Sequence, residues 1–315
     1  LSAGSGGKTN GTCGALQMAG RKKNDSKPSY STSQLLNYES DSYLERTSRP
    51  VYAIIFLLPF IVFYEIGTML INTDLLNRTQ VRVVAFVWLQ QLLEYLGTSS
   101  RLAWIAPPLI VILILVGLQL TSRKRWYFCV GDYIPMLVEC VLLAVPLIVL
   151  SLLFNNPSLA PDGNPAAATC VLDGSAGWNA GPAVLLAAEA NGHSLMADIV
   201  TGVGAGIYEE LVFRLILICL LMVLFQDLLG MTHSNAIVSS VLISAALFSA
   251  HHHIIFVNGQ IGCHAPFNWM EFSFRTMAGV YFAALFAIRG FGITAGTHAF
   301  YDIIATLVNA LVFDH

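Results

Sequence analysis

Glu209 and Glu210 stand side by side in the run Ile207-Tyr208-Glu209-Glu210-Leu211-Val212-Phe213-Arg214, two carboxylates and a guanidinium among residues that are otherwise mostly hydrocarbon. Two more polar groups follow in equally apolar surroundings: Phe248-Ser249-Ala250-His251-His252-His253, and His298-Ala299-Phe300-Tyr301-Asp302. A charge placed at the centre of a membrane helix costs about 2.5–3.5 kcal/mol on insertion scales, so such residues persist where they are paired, face a wet interior or perform chemistry. At 3.6 residues per turn, Glu210 and Arg214 are neighbours four residues apart, which lets the arginine neutralise one carboxylate and leaves Glu209 to point elsewhere. The same spacing puts Phe248 with His252 and His298 with Asp302. A desolvated carboxylate becomes a stronger base, a neutral imidazole shares the water it deprotonates, and a second imidazole stabilises a developing oxyanion. These are the parts of a hydrolase. With no activated Ser or Cys at obvious spacing and no HExxH run, water is the expected attacker.

The elements that must hold these residues are membrane helices. Of 315 residues, 56% are hydrophobic and 11% charged, against about 25% charged in an ordinary soluble domain. The expected fold is all-α, a polytopic transmembrane bundle of about seven or eight helices, with spans near 51–72, 103–121, 132–154, 195–225, 236–257, 272–288 and 292–311. The run 82–97, carrying Arg82 and Glu94, reads as an interfacial helix or a poor extra span. Residues 195–225 are too long for one straight crossing, and Gly202, Gly204 and Gly206 offer a break or a close-packing point before the Glu pair. Residues 1–49 are polar, without apolar periodicity, and are expected to be a disordered tail; residues 50–315 form the transmembrane domain. No signal peptide is read in that tail. Arg46, Arg49 and the Arg123-Lys124-Arg125 loop, set against a 155–182 loop without Lys or Arg, put the N terminus in the cytoplasm.

The order EExxxR, FxxxH, HxxxD on successive helices resembles the CPBP family, the CAAX prenyl proteases and bacteriocin-processing enzymes also called Abi, over about residues 195–312. The resemblance implies an intramembrane endopeptidase acting on prenylated CAAX proteins or on leaders of secreted peptides. It implies Glu209 as the base that activates water, His252 as its partner, and Glu210 and Arg214 as supports, with Phe248 as the motif's aromatic. His298 and Asp302 would stabilise the oxyanion. Asp302 stands where many members have Asn, so it must either be protonated or act by orienting His298. Members are labelled metalloproteases, and Glu209, His252 and His298 would supply three zinc ligands with an open fourth position. The residues equally suit a metal-free glutamate mechanism, which is the reading preferred.

Quieter readings apply elsewhere. His251 and His253 fall on other helical faces than His252 and read as interfacial or helix-end residues. Glu271 and Arg275 form a structural pair one turn apart, Glu65 and Glu139 are expected to bond between helices, and Gly292-x-x-x-Gly296 reads as a packing surface. Cys170 and Cys263 fall in polar loops where a disulfide is conceivable. The expected partners are membrane lipid and a membrane-associated protein or peptide, with no basic face for nucleic acid. Two alternatives from other classes use the same buried Glu and His: a non-catalytic chaperone or immunity factor, and a cation or proton transporter.

Overall fold

A computed structural model describes residues 42–74, 84–95, 106–122, 124, 126–154, 195–257, 260–263 and 268–312. The expected 155–182 loop and Cys170 lie outside these residues, as do residues 1–41 of the expected tail. The elements are α1 (Tyr43–Thr47), α2 (Pro50–Asp74), α3 (Val84–Tyr95), α4 (Ala106–Ser122), α5 (Tyr133–Phe154), α6 (Leu195–Glu210), α7 (Ile218–Met222), α8 (His233–His251), a hairpin of β1 (Ile254–Val257) and β2 (Gln260–Cys263), α9 (Trp269–Arg289) and α10 (Phe291–Val312). Among the described residues, six stretches are long and apolar enough to cross a membrane, and the chain is a multi-pass membrane protein of all-α type. One of the six, Leu195–Leu228, is a single rod of 34 residues in which π-helical turns, Leu211–Leu217 and Val223–Leu228, flank α7.

Three expectations change. The span drawn at 236–257 stops at His251, and residues 254–263 form a two-stranded antiparallel hairpin with Ile254 opposite Cys263 and Val257 opposite Gln260. The span drawn at 103–121 is the shorter helix α4, 17 residues long. Residues 42–49, assigned to the polar tail, carry α1, which ion pairs attach to the bundle. Arg46 donates twice to Asp132, at 2.9 and 3.0 Å. Lys124 donates to Glu45 at 2.8 Å, and Arg289 from α9 donates to Thr47, to the Leu44 carbonyl and to Glu139 of α5. Tyr43 also donates to Glu139, at 2.7 Å. The polar spacing that suggests disorder is thus a set of partners for charges at the helix ends, which periodicity along one segment does not reveal.

The close-packing reading of the glycines holds in place of the break. A methyl group at Gly206 would stand 2.5 Å from the Ala299 nitrogen, and one at Gly202 would stand 2.7 Å from the Asp302 β-carbon, so α6 and α10 approach backbone to backbone. The pairing of 202 with 302 and 206 with 299 makes them antiparallel. Gly204 receives the Tyr64 ring, and Gly67 receives Val200, which bring α2 against the same helix. Gly292 and Gly296 form the expected packing surface, towards Ala53 and Phe56 of α2 and Cys140 of α5. α3 is tied into the core: buried Phe86 lies 5.0 Å edge-on from Tyr208. Glu65 accepts from Tyr208 at 3.2 Å, an interhelical bond of the kind expected.

Burial of the Glu45 carboxyl would raise its pKa, but hydrogen bonds from Arg49 and Lys124 outweigh it and hold the group below its ordinary value. A depressed carboxylate stabilises the folded state above its unfolded pKa and loses that contribution as pH falls through the folded value. Wild-type protein in detergent should therefore lose melting temperature relative to a Glu45→Gln variant as pH falls below the ordinary value of 4.5. A constant gap across that range in thermal melts would show that Glu45 does not secure α1.

Candidate active site

Glu210 is the residue on which the site is assembled. It is fully buried, and its two oxygens face two different cations or donors. His298 Nδ1 donates to Oε1 at 2.7 Å, and Arg214 Nε stands 3.0 Å from Oε2 as an ion pair. The Arg214 guanidinium lies over the Phe248 ring at 4.1 Å and also near Phe282, at 5.5 Å, and donates to the Gly279 carbonyl. The His298 ring stacks on Phe282 with centroids 4.4 Å apart. Residues from α6, the π-helical turn after it, α8, α9 and α10 therefore meet around one carboxylate. The π turn at Leu211–Leu217 begins immediately after the Glu pair, where such widened turns are often found at functional sites.

Glu209 turns to the other side, towards the end of α8. Its Oε1 lies 3.7 Å from His251 Nε2, and one ligand-type atom from each of Glu209, His251 and His252 falls within 4.8 Å of the others. Both imidazoles present Nδ1 to the same Phe248 carbonyl, at 2.7 Å from His251 and 2.9 Å from His252. A carbonyl accepts only, so each Nδ1 carries the proton and each Nε2 keeps its lone pair for the pocket. The ring centroids of the two histidines are 4.0 Å apart and meet edge to face.

The folding of both rings onto the Phe248 carbonyl at the end of α8 explains why face assignment from spacing separated His251 from His252. Within a regular helix, adjacent residues diverge by about 100°, which assigns His251 to a different face from His252. Here the helix stops at His251, His252 is its cap, and both rings fold back on one carbonyl. Three consecutive histidines at the end of an apolar run were the available signal. His253 is buried away from this group, beside Phe272.

The expected set of Glu209, His252 and His298 is thereby divided. His298 gives Nδ1 to Glu210, and its Nε2 is 3.6 Å from Asp302 Oδ2, so its two nitrogens face carboxylates of α6 and α10 rather than the cluster around Glu209. Asp302 is buried, and among the described residues Oδ2 has no hydrogen-bond partner. If a divalent metal binds, the chemistry fits Glu209, His251 and His252 instead: one carboxylate and two imidazoles whose lone pairs are aimed by backbone hydrogen bonds. His251 and His252, at the end of α8, lie beside Glu209 in the middle of the long α6 rod, and the glycine face brings α10 against the same rod. Phe248, 6.1 Å from the His298 ring, stands between the two groups.

Three substitutions examine this arrangement. His251→Ala should lower turnover by about a hundredfold or more, the usual loss on removing a group that shares proton transfer, with little change in melting temperature. If His252→Ala alone has that effect, His251 is a bystander. Gly206→Ala should destabilise the protein by about 1–3 kcal/mol, because the added methyl meets backbone rather than a movable side chain; an unchanged denaturation midpoint would mean that α6 and α10 are not in this register.

Residues 191–304 match the family model described as Type II CAAX prenyl endopeptidase Rce1-like. No curated protein matches the chain, and no solved structure does. The match covers the Glu pair, the histidines of α8, and His298 with Asp302, in agreement with the resemblance read from the three motifs. Over residues 191–304 the multi-pass protein is thus similar to the Rce1-like domain of type II CAAX prenyl endopeptidases.

Proposed function

We propose that this protein is an intramembrane endopeptidase that hydrolyses a peptide bond near the C terminus of prenylated CAAX-type proteins. The observation that carries the reading is the convergence of Glu209, His251 and His252 in one cluster, with His298 on the far side of Phe248. The Rce1-like domain supports a CAAX-type protease, and of the two substrate classes it favours prenylated proteins over leader peptides.

In this reading a water molecule sits between the Glu209 carboxylate and the imidazoles of α8. Glu209 takes one proton as the water oxygen attacks the carbonyl carbon of the scissile bond. His298, with Nδ1 held by Glu210, offers Nε2 to the carbonyl oxygen; protonated, it donates to the oxyanion of the tetrahedral intermediate. Asp302, 3.6 Å from that nitrogen, supports its protonated form and is the oriented partner rather than the donor. Collapse of the intermediate breaks the C–N bond, and the departing amine takes the proton from Glu209. Glu210 and Arg214 hold His298 and take no proton. A divalent ion held by Glu209, His251 and His252 would increase the acidity of the attacking water. We also place the N terminus and the Arg123-Lys124-Arg125 loop on the cytoplasmic side, on the distribution of Lys and Arg.

Glu209→Ala should abolish cleavage, by about 10²–10⁴-fold or more, while the variant remains folded in detergent. Retained processing of a prenylated peptide by that variant defeats the mechanism. Dialysis against a chelator, followed by activity and metal analysis with and without added zinc, separates a metal-assisted hydrolase from one that needs only Glu209.

A further inference from the structure

α9 brings a second guanidinium towards the site, with surroundings unlike those of the other buried arginines. Arg214 is enclosed by Glu210, a carbonyl and two aromatic faces. Arg49 pairs with Glu45, and Arg289 is hydrogen-bonded to Glu139, Thr47, Ser48 and the Leu44 carbonyl. Arg275 is just as buried, at 6% exposure. Among the described residues its ion-pair partner is Glu271, one turn earlier on the same helix, with NH1 3.4 Å from Oε2. The Glu271 side chain is 35% exposed. A guanidinium has five N–H donors in a planar fork, and one held by a single 3.4 Å contact to a partly exposed carboxylate keeps the capacity to pair with a further anion.

The position of Arg275 says which ligand. Ser249 Oγ donates to the Phe272 carbonyl at 2.8 Å, which pins the α9 turn carrying Arg275 against the α8 end carrying His251 and His252. Arg275 interacts electrostatically with Glu209 and Tyr301, and with His252. It is therefore a cation beside the hydrolytic pocket that does not touch the reacting groups. We propose that Arg275 receives the C-terminal carboxylate of the substrate peptide, so that the position of the cut is measured from the chain end. This inference rests on the protease reading and extends it to the features of substrate the site accepts. Three residues beyond a scissile bond extend at most about 10–11 Å, a reach suited to a cation that senses Glu209 without bonding to it. Arginine and carboxylate match as a two-pronged pair. Glu271, partly exposed and at long range, holds the fork until the substrate carboxylate displaces it into water. The pair read from sequence as purely structural thus becomes a substrate-recognition device.

The test uses the full chain in detergent and two S-farnesylated peptides with cysteine fourth from the end, one a free acid and one a C-terminal amide. Wild-type enzyme should cleave the acid with kcat/KM about ten- to a hundredfold above the amide, the range expected for losing a charged hydrogen-bonded pair. Arg275→Gln should bring the two substrates level while still cutting the amide, and Arg275→Lys should restore part of the preference. Glu271→Gln should lower KM for the acid and leave the amide unchanged, a readout that survives even if Arg275→Gln does not fold. Wild-type enzyme cleaving acid and amide equally, or Arg275→Gln keeping the full preference, overturns the role of Arg275 alone. Cleavage of neither peptide overturns the protease reading and this inference with it.

Discussion

A buried carboxylate shared between a guanidinium and an imidazole organises the interior of this bundle. Glu210 cannot be solvated where it sits, and neither can Arg214, so each is tolerated only because the other is present. Such a pair stabilises less than its Coulomb attraction suggests, because taking both charges out of water offsets much of the gain. Its consequence is specificity of arrangement. The second oxygen of Glu210 takes the His298 N–H, and the Arg214 plane takes the faces of Phe248 and Phe282, so one cluster sets the relative positions of four helices.

Adjacent residues of one helix thereby serve two distinct surroundings. Glu210 faces the cationic and aromatic cluster, whereas Glu209 faces two imidazoles held by a single backbone carbonyl. The helix must turn about 100° between them, which makes a pair of adjacent acids a compact way to place two carboxylates in different surroundings within one turn. The rod continues through the widened π turn that follows to Leu228, with Arg214 four residues beyond Glu210.

Close helix approach is the other condition. Inside a bilayer, lipid tails are as apolar as leucine, and helices associate through packing and polar contacts instead of hydrophobic exclusion. Gly202, Gly204 and Gly206 make α6 a surface onto which α10 and α2 fit at backbone distance, and this is what places Asp302 and Ala299 against the rod that bears the Glu pair. At the opposite end, Arg46, Lys124 and Arg289 attach α1 to the helix termini through a separate set of ion pairs.

Much of this was legible in the chain itself. Apolar length and sparse charge determine a multi-pass helical protein. The order of EExxxR, the histidine run and HxxxD determines which segments must meet, because charged groups inside hydrocarbon persist only where neighbouring helices bring them partners. Glu210 with Arg214 follows from helical spacing alone. The tertiary structure decided the rest. It put His251 beside Glu209, since the rings of His251 and His252 both fold back onto the Phe248 carbonyl, which spacing along the helix does not anticipate. It gave His298 to Glu210 and Asp302 instead of to the cluster around Glu209, since spacing along α10 contains nothing about which side of α6 it will meet. It also ended α8 at His251 and made α1 part of the bundle, because partners far apart in the chain decide which charges are satisfied.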